Sequence, residues 1–422
     1  MTIIFLLISI VISIIIISQN VLLINLPIKF VCSTTIALIF YSIFYYLVLL
    51  FGLSFNICVY FVLFFQLIYM YKFLNFNHFS LPRIQNFNSF SLLVILSTAV
   101  LYFQKQIIPW GAWDGTFIWN LHAKFLADQE LWLKLFSKQI SWSHPDYPLF
   151  LPSLIAMFWN LNGSVSTIIP MLISLLPLLG IIVLLFSSLN NTLIGFIPCA
   201  IILSDKIFMG QASSQYADTW LAFFILLGTY LMKYIKDNKS LVFITGIVIS
   251  GAFWLKNEGF FYFLISSFLI VFKFKNDRKS IFKYFLGALS LIVIFLVFKI
   301  YNSMENEIFN GFLKTFKLKL FDVKRYILIF KHLKIAILEN FPILPFLAIF
   351  SAIYFSKFER LNIYPFLGIF FLVCTYFFIY VFTPIDLAWH LEFSLDRLVH
   401  HVYPSVLMLF FMGIDCIPSK NN

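Results

Sequence analysis

Apolar runs recur from one end of the chain to the other. They occupy 3–22, 30–52, 54–71 and 89–103, then 166–188, 192–209, 217–233, 241–255, 258–272, 284–301, 341–356, 362–383 and 398–416. A bilayer core of roughly 30 Å takes about 20 apolar residues per helix. Transmembrane strands would alternate apolar and polar positions, whereas these runs are apolar on every face. The pattern predicts an all-α polytopic membrane protein of about 13 transmembrane helices.

The polar intervals set the expected topology. Two short basic loops, one with Lys233, Lys236 and Lys239 and the next with Lys273, Lys275, Arg278, Lys279 and Lys283, are expected on the cytoplasmic side. The interval 104–148 balances Lys105, Lys124, Lys134 and Lys138 against Asp114, Asp128, Glu130 and Asp146, as expected outside. For both to hold, one of the four apolar runs between them must not cross. The run 149–162, opened by Pro148 and interrupted by Pro152, is the shortest and is expected at the outer interface. The segments around Asp114, 216–218, 256–258, 302–340 and 384–397 then emerge on one face. The chain divides into N-terminal helices 1–88, a core 89–301 with an external loop 104–165, a basic external loop 302–340, and C-terminal helices 341–422. The basic loop holds Lys314, Lys317, Lys319, Lys324, Arg325, Lys331 and Lys334, which suits an amphipathic helix on anionic lipid or a surface attracting a phosphate-bearing lipid.

Composition agrees: the chain is 62% hydrophobic and 11% charged, against about 25% charged in soluble domains. The formal charge of +11 reports basic cytoplasmic loops rather than nucleic-acid binding. Cys32, Cys58, Cys199, Cys374 and Cys416 stand singly, without the spacing of a disulfide framework or metal site. The first apolar run lacks a basic leader and a small-residue cleavage site, so it reads as a retained helix.

The chemistry concentrates in 110–148. Trp110 to Lys124 reads W-G-A-W-D-G-T-F-I-W-N-L-H-A-K, and His144 to Pro148 reads H-P-D-Y-P. Tryptophan gathers at membrane interfaces in any polytopic protein, but that does not explain Asp114, His122, Lys124, His144 and Asp146 among the rings. Trp faces suit sugar rings, and a carboxylate at a helix mouth can take a hydroxyl proton. Asp218, Lys256, Glu258, Asp396 and Arg397 border apolar runs, where charge is costly and marks function. Lys256 with Glu258, and Asp396 with Arg397, also read as local ion pairs. His390, His400 and His401 with Asp386 match no strong ligand spacing, and no residue is assigned to a metal.

These motifs resemble the GT-C superfamily of polytopic glycosyltransferases, which includes protein O-mannosyltransferases and the aminoarabinose transferase that modifies lipid A. Asp114 stands where that family places an acid after a span. P-D-Y-P-L-F-L-P at Pro145 to Pro152 resembles the opening of its second interfacial helix. Y-A-D-T-W-L-A-F-F at Tyr216 to Phe224 and K-N-E-G at Lys256 to Gly259 extend the similarity, which covers about 90–400. The W-D-G and H-P-D-Y-P pair is most similar to uncharacterised bacterial members.

The resemblance implies a glycosyltransferase that moves a sugar from a polyprenyl-phosphate donor to a lipid, glycan or protein acceptor. The active site would lie on the external face of a bacterial inner (plasma) membrane, in contact with membrane lipids. Asp114 is then the acceptor base, and Asp218 the second acidic position, which in relatives binds the acceptor or a divalent metal, the one candidate cofactor. Lys256 and Arg397 would hold the donor phosphate. Trp113, Lys124, His144, Asp146, Tyr147 and Glu258 complete the expected substrate site. The alternative reading is a polytopic transporter or flippase of a lipid-linked or small polar substrate, although the internal repeat common in carriers is not evident.

Overall fold

The computed structural model describes residues 2–21, 25–73, 87–236, 238–302, 319–357 and 363–415. Among these residues there are helices and no strands. Arg83, Lys314, Lys317 and Cys416 lie outside the described residues.

Four helices precede the tryptophan-rich segment: α1 (Thr2–Asn20), α2 (Leu26–Leu50), α3 (Phe55–Phe73) and α4 (Phe87–Gln106). The segment itself folds as a π-helical turn, Gly115–Asn120, then α5 (Leu121–Leu126), two 3-10 turns, and α6 (Phe150–Asn162). There follow α7 (Ile168–Ser187), α8 (Thr192–Ser204), α9 (Lys206–Ser213), α10 (Ala217–Tyr234), α11 (Leu241–Leu255), α12 (Asn257–Lys273) and α13 (Arg278–Asn302). The C-terminal part holds α14 (Val323–Ile335), α15 (Leu344–Lys357), α16 (Tyr364–Phe382) and α17 (Leu387–Asp415).

Every apolar run of the sequence is met by a helix, because in lipid each backbone polar group has to be satisfied within its own segment. Among the described residues seven helices, α1, α2, α3, α7, α13, α16 and α17, are long and apolar enough to cross a membrane. Counting two bent pairs as single spans raises this to nine, and length and apolarity alone do not reach the expected figure of about 13. One of the bends was not foreseen. The run 192–209 is broken by 69° between α8 and α9, where Asp205 is extended and accepts a hydrogen bond from Phe208 N at 2.9 Å, starting a new helix. The other pair, from α14 into α15, turns by 95°. Helix α6 has 13 residues, about 20 Å at 1.5 Å per residue, and so is too short to span.

Helix α10 is the centre of the bundle: Ala217 through Met232 are all buried, with α7, α11, α16 and α17 packed around it. Small residues allow the closest approaches. A Cβ at Gly246 would strike the Tyr284 carbonyl, and one at Gly287 the Phe243 carbonyl, so α11 and α13 meet backbone to backbone. At the N-terminal side, α1, α2 and α3 share a buried polar knot. Ser9 Oγ pairs with Tyr41 Oη at 2.5 Å and donates to Gln66 Oε1 at 2.7 Å, while Gln66 Nε2 donates to Ser13 Oγ at 2.7 Å. Cys32, Cys58, Cys199 and Cys374 are free thiols.

Candidate functional site

The site begins with two turns that lie against one another. The peptide from Ile108 to Gly115 runs along Ser213–Gln215, with Ala112 N donating to Ser214 O at 3.0 Å. Gln215 Nε2 donates to Ile108 O at 2.5 Å and Pro109 O at 3.0 Å, and Asn120 Nδ2 donates to Trp110 O at 2.8 Å and Gln215 Oε1 at 3.1 Å. Two glycines allow this contact. Gly111 has φ +81°, and a Cβ there or at Gly115 would stand 2.8 Å or 2.5 Å from Ser214 O. Asp114, between them, is delivered to the start of α10, two residues beyond Gln215.

Asp218, in the first turn of α10, is the hub. Its side chain is 0% exposed, and both oxygens are occupied. Lys256 Nζ donates to Oδ1 at 2.9 Å, His401 Nε2 meets the same oxygen at 2.7 Å, and Arg397 donates to Oδ2 from Nη2 at 2.8 Å and Nε at 3.2 Å. Arg397 Nη2 also stands 2.7 Å from Asp114 Oδ2, and its guanidinium lies over the Tyr216 ring at 4.9 Å. Lys256 continues to Glu258 Oε1 at 3.0 Å. Lys256 occupies the extended residue between α11 and α12, and Arg397 and His401 share one face of α17, four residues apart. Burying a carboxylate at this depth is tolerable only because cations and hydrogen-bond donors replace its water.

Accessibility separates the members. Glu258, Arg397 and Asp114 side chains are 21%, 20% and 16% exposed, against 4% for Lys256 and 0% for Asp218. Asp114, Arg397 and Glu258 therefore form the accessible edge of the cluster, with Asp218 and Lys256 behind them.

The H-P-D-Y-P segment closes one side. Asn257 Nδ2 donates to Asp146 Oδ2 at 2.8 Å, and Lys299 Nζ donates to the Asp146 carbonyl at 2.6 Å, tying the segment to α12 and α13. The Tyr147 ring is stacked between Trp119, centroids 5.5 Å apart, and His144, 5.1 Å apart. Burial raises the Tyr147 phenol well above its ordinary range, nearby Glu258 and Asp146 add to this, and Arg397 opposes it. Further along the same segment His122 is fully buried, with Nε2 3.2 Å from Ser143 Oγ; burial lowers its pKa to about 3.

Of the residues expected from the sequence, Asp114, Asp218, Lys256, Glu258 and Arg397 form one connected network. Asp146, Tyr147 and His144 stand beside it. Trp113 is exposed at its edge, against Phe117 at 5.5 Å and Trp142 at 6.3 Å. Lys124 is exposed on α5 and forms no ion pair among the described residues. Arg397 pairs with Asp114 and Asp218, partners that lie far from it in sequence.

His401 was weighed only as a metal ligand; its partners are Asp218 and, through Nδ1 at 3.1 Å, the Tyr376 hydroxyl. Asn257 and Lys299 were not singled out at all. The signal available for Asn257 was its place inside K-N-E-G, and for Lys299 its charge within an apolar run. The residues present do not fit a divalent metal: Lys256, Arg397 and His401 fill both Asp218 oxygens. Among the described residues no three His, Cys, Asp or Glu side chains are grouped to hold an ion.

No family model, curated protein or solved structure matches the chain.

Proposed function

We propose that this protein is a membrane glycosyltransferase that transfers a sugar from a polyprenyl-phosphate donor to an acceptor hydroxyl, in the manner of the GT-C superfamily, with Asp114 as acceptor base. The observation that carries the reading is the sharing of Arg397 between a partly exposed carboxylate, Asp114, and an enclosed one, Asp218. One acid faces the opening while the other anchors the cation.

In the proposed reaction the acceptor hydroxyl gives its proton to Asp114, and its oxygen bonds to the anomeric carbon of the sugar. The bond from that carbon to the phosphate oxygen breaks, with its electron pair passing to the phosphate. Arg397 neutralises the charge that develops there. Lys256 is nearly enclosed and committed to Asp218 and Glu258, so of the two expected phosphate-binding cations the geometry favours Arg397. The partly exposed Tyr147 and His144 rings, with the buried Trp119 behind Tyr147, and the exposed Trp113 offer apolar faces for a sugar or acceptor. In this reading α4, α10, α11, α12 and α15 also cross the bilayer, with α8 and α9 as one broken span and α14 at the surface, which makes thirteen crossings. Helix α10 is sheathed by other helices, so it can carry Asp218 without exposing it to lipid.

The test incubates purified protein with radiolabelled polyprenyl-phosphate sugars and candidate acceptors, comparing wild type with Asp114→Asn. A general base contributes typically about 10²- to 10⁴-fold, and a fall of that size with only a small loss of thermal stability is expected. Transfer retained by the Asn variant would remove Asp114 from its role. No transfer from any polyprenyl-phosphate donor, with substrate instead crossing vesicle membranes, would replace the enzyme reading with the transporter.

A further inference from the structure

Helix α14 carries a face that the bundle does not use. Its inner side is well fixed. Arg325 donates from Nε to Val381 O at 3.0 Å and from Nη2 to Tyr380 O at 3.0 Å, and Lys319 Nζ donates to Thr383 O at 2.8 Å. These cations close the last turn of α16, whose final carbonyls have no partner within the helix. Ile329 is buried beneath them, and Tyr326, Leu328 and Leu333 pack on the core.

The outer side is different. Val323 and Ile327 are exposed, Phe330 is exposed over most of its ring with one edge against Phe377 of α16 at 5.4 Å, and Lys324, Lys331 and Lys334 are exposed beside them. The steps 323, 327, 330, 334 and 324, 327, 331 place these residues on one continuous face. Asp322 and Glu339 are the only carboxylates between 319 and 340, against Lys319, Lys324, Arg325, Lys331 and Lys334. Asp322 caps the helix through Lys324 N at 3.1 Å. Among the described residues none of Lys324, Lys331 and Lys334 forms an ion pair.

Bulk water does not suit Val, Ile and Phe exposed in a row, and hydrocarbon does not suit three unpaired ammonium groups. The headgroup layer suits both: the apolar side chains reach the acyl boundary while the lysine stems extend back to the phosphates.

We propose that α14 is a docking element for anionic lipid, its outer face resting on the bilayer surface with Lys324, Lys331 and Lys334 bound to phosphate headgroups. The excess of cations on this face selects an anionic leaflet over a zwitterionic one. Because α14 packs along α16 and α17, this contact holds the helix bearing Arg397 against the membrane surface. The inference stands independently of the glycosyltransferase reading.

The experiment is hydrogen exchange on the full chain in nanodiscs of phosphatidylcholine alone or mixed with phosphatidylglycerol. Amides of α14 in the wild type are expected to exchange several-fold more slowly in the anionic discs. The triple variant K324Q/K331Q/K334Q should lose the difference, and K324R/K331R/K334R should keep it. Equal exchange of wild-type α14 in the two discs overturns the proposal, as does slowing that survives in the glutamine variant.

Discussion

Arg397 Nη2 stands 2.8 Å from Asp218 Oδ2, on a carboxylate with no exposed side-chain surface. This contact fastens α17 to α10, and the same nitrogen reaches Asp114 at 2.7 Å. One guanidinium therefore joins an enclosed carboxylate to a more accessible one, and the two should respond differently to loss of charge.

Asp218→Asn leaves Arg397, Lys256 and His401 without their shared anion in a buried setting, where breaking an ion pair costs about 3–5 kcal/mol. Asp114→Asn removes the more accessible member and should cost about 1 kcal/mol or less. Thermal unfolding in detergent reads both. Equal destabilisation by the two substitutions would contradict the assignment of Asp218 as anchor.

Asn257→Ala removes a side-chain hydrogen bond from α12 to the Asp146 carboxylate, a bond to a charged group worth about 1.5 kcal/mol. Lys299 still holds the Asp146 carbonyl, so the protein should fold while the 144–148 segment loosens. Limited proteolysis should cut there sooner than in the wild type. Unchanged cleavage would show that Lys299 and the aromatic stack hold the segment without Asn257.

Gly246→Ala inserts a methyl group against the Tyr284 carbonyl, where α11 and α13 meet. Overpacking of this kind costs about 1–3 kcal/mol. Gly52→Ala provides the contrast, since a Cβ there meets nothing within 4 Å, although φ +63° adds strain of its own. A lower unfolding midpoint is expected for G246A, and a midpoint equal to wild type would mean that the helices separate freely.

His122 supplies a pH dependence. Burial lowers its folded pKa to about 3, from the 6.5 of an ordinary imidazole. Between those values the unfolded chain binds the extra proton and the folded chain does not, so the neutral imidazole contributes stability fully above pH 6.5. That contribution is lost progressively as pH falls toward 3. His122→Phe lacks this term. The difference in unfolding midpoint between wild type and variant should narrow from pH 7.5 to pH 4.5, and a constant difference would place the protonation change elsewhere.

The sequence by itself determined the class of molecule and the ends of most of its helices. Runs apolar on every face have to be helical in lipid, and the runs at 217–233 and 241–255 coincide with α10 and α11 to within a residue. It also marked Asp114, Asp218, Lys256, Glu258 and Arg397, because charges at the mouths of apolar helices have to find partners.

What only the tertiary structure decided is which partners they found and which of them is open. Asp218 is enclosed and Asp114 accessible; His401 belongs to Asp218 and Tyr376; Lys124 faces away; and the run at 192–209 breaks at Asp205. The reason is rotational. A helix that is apolar all round has no hydrophobic face to fix which side turns inward, so its rotation, tilt and neighbours are set by small-residue contacts and buried polar pairs. Those depend on residues hundreds of positions apart, and they become definite only when the helices pack.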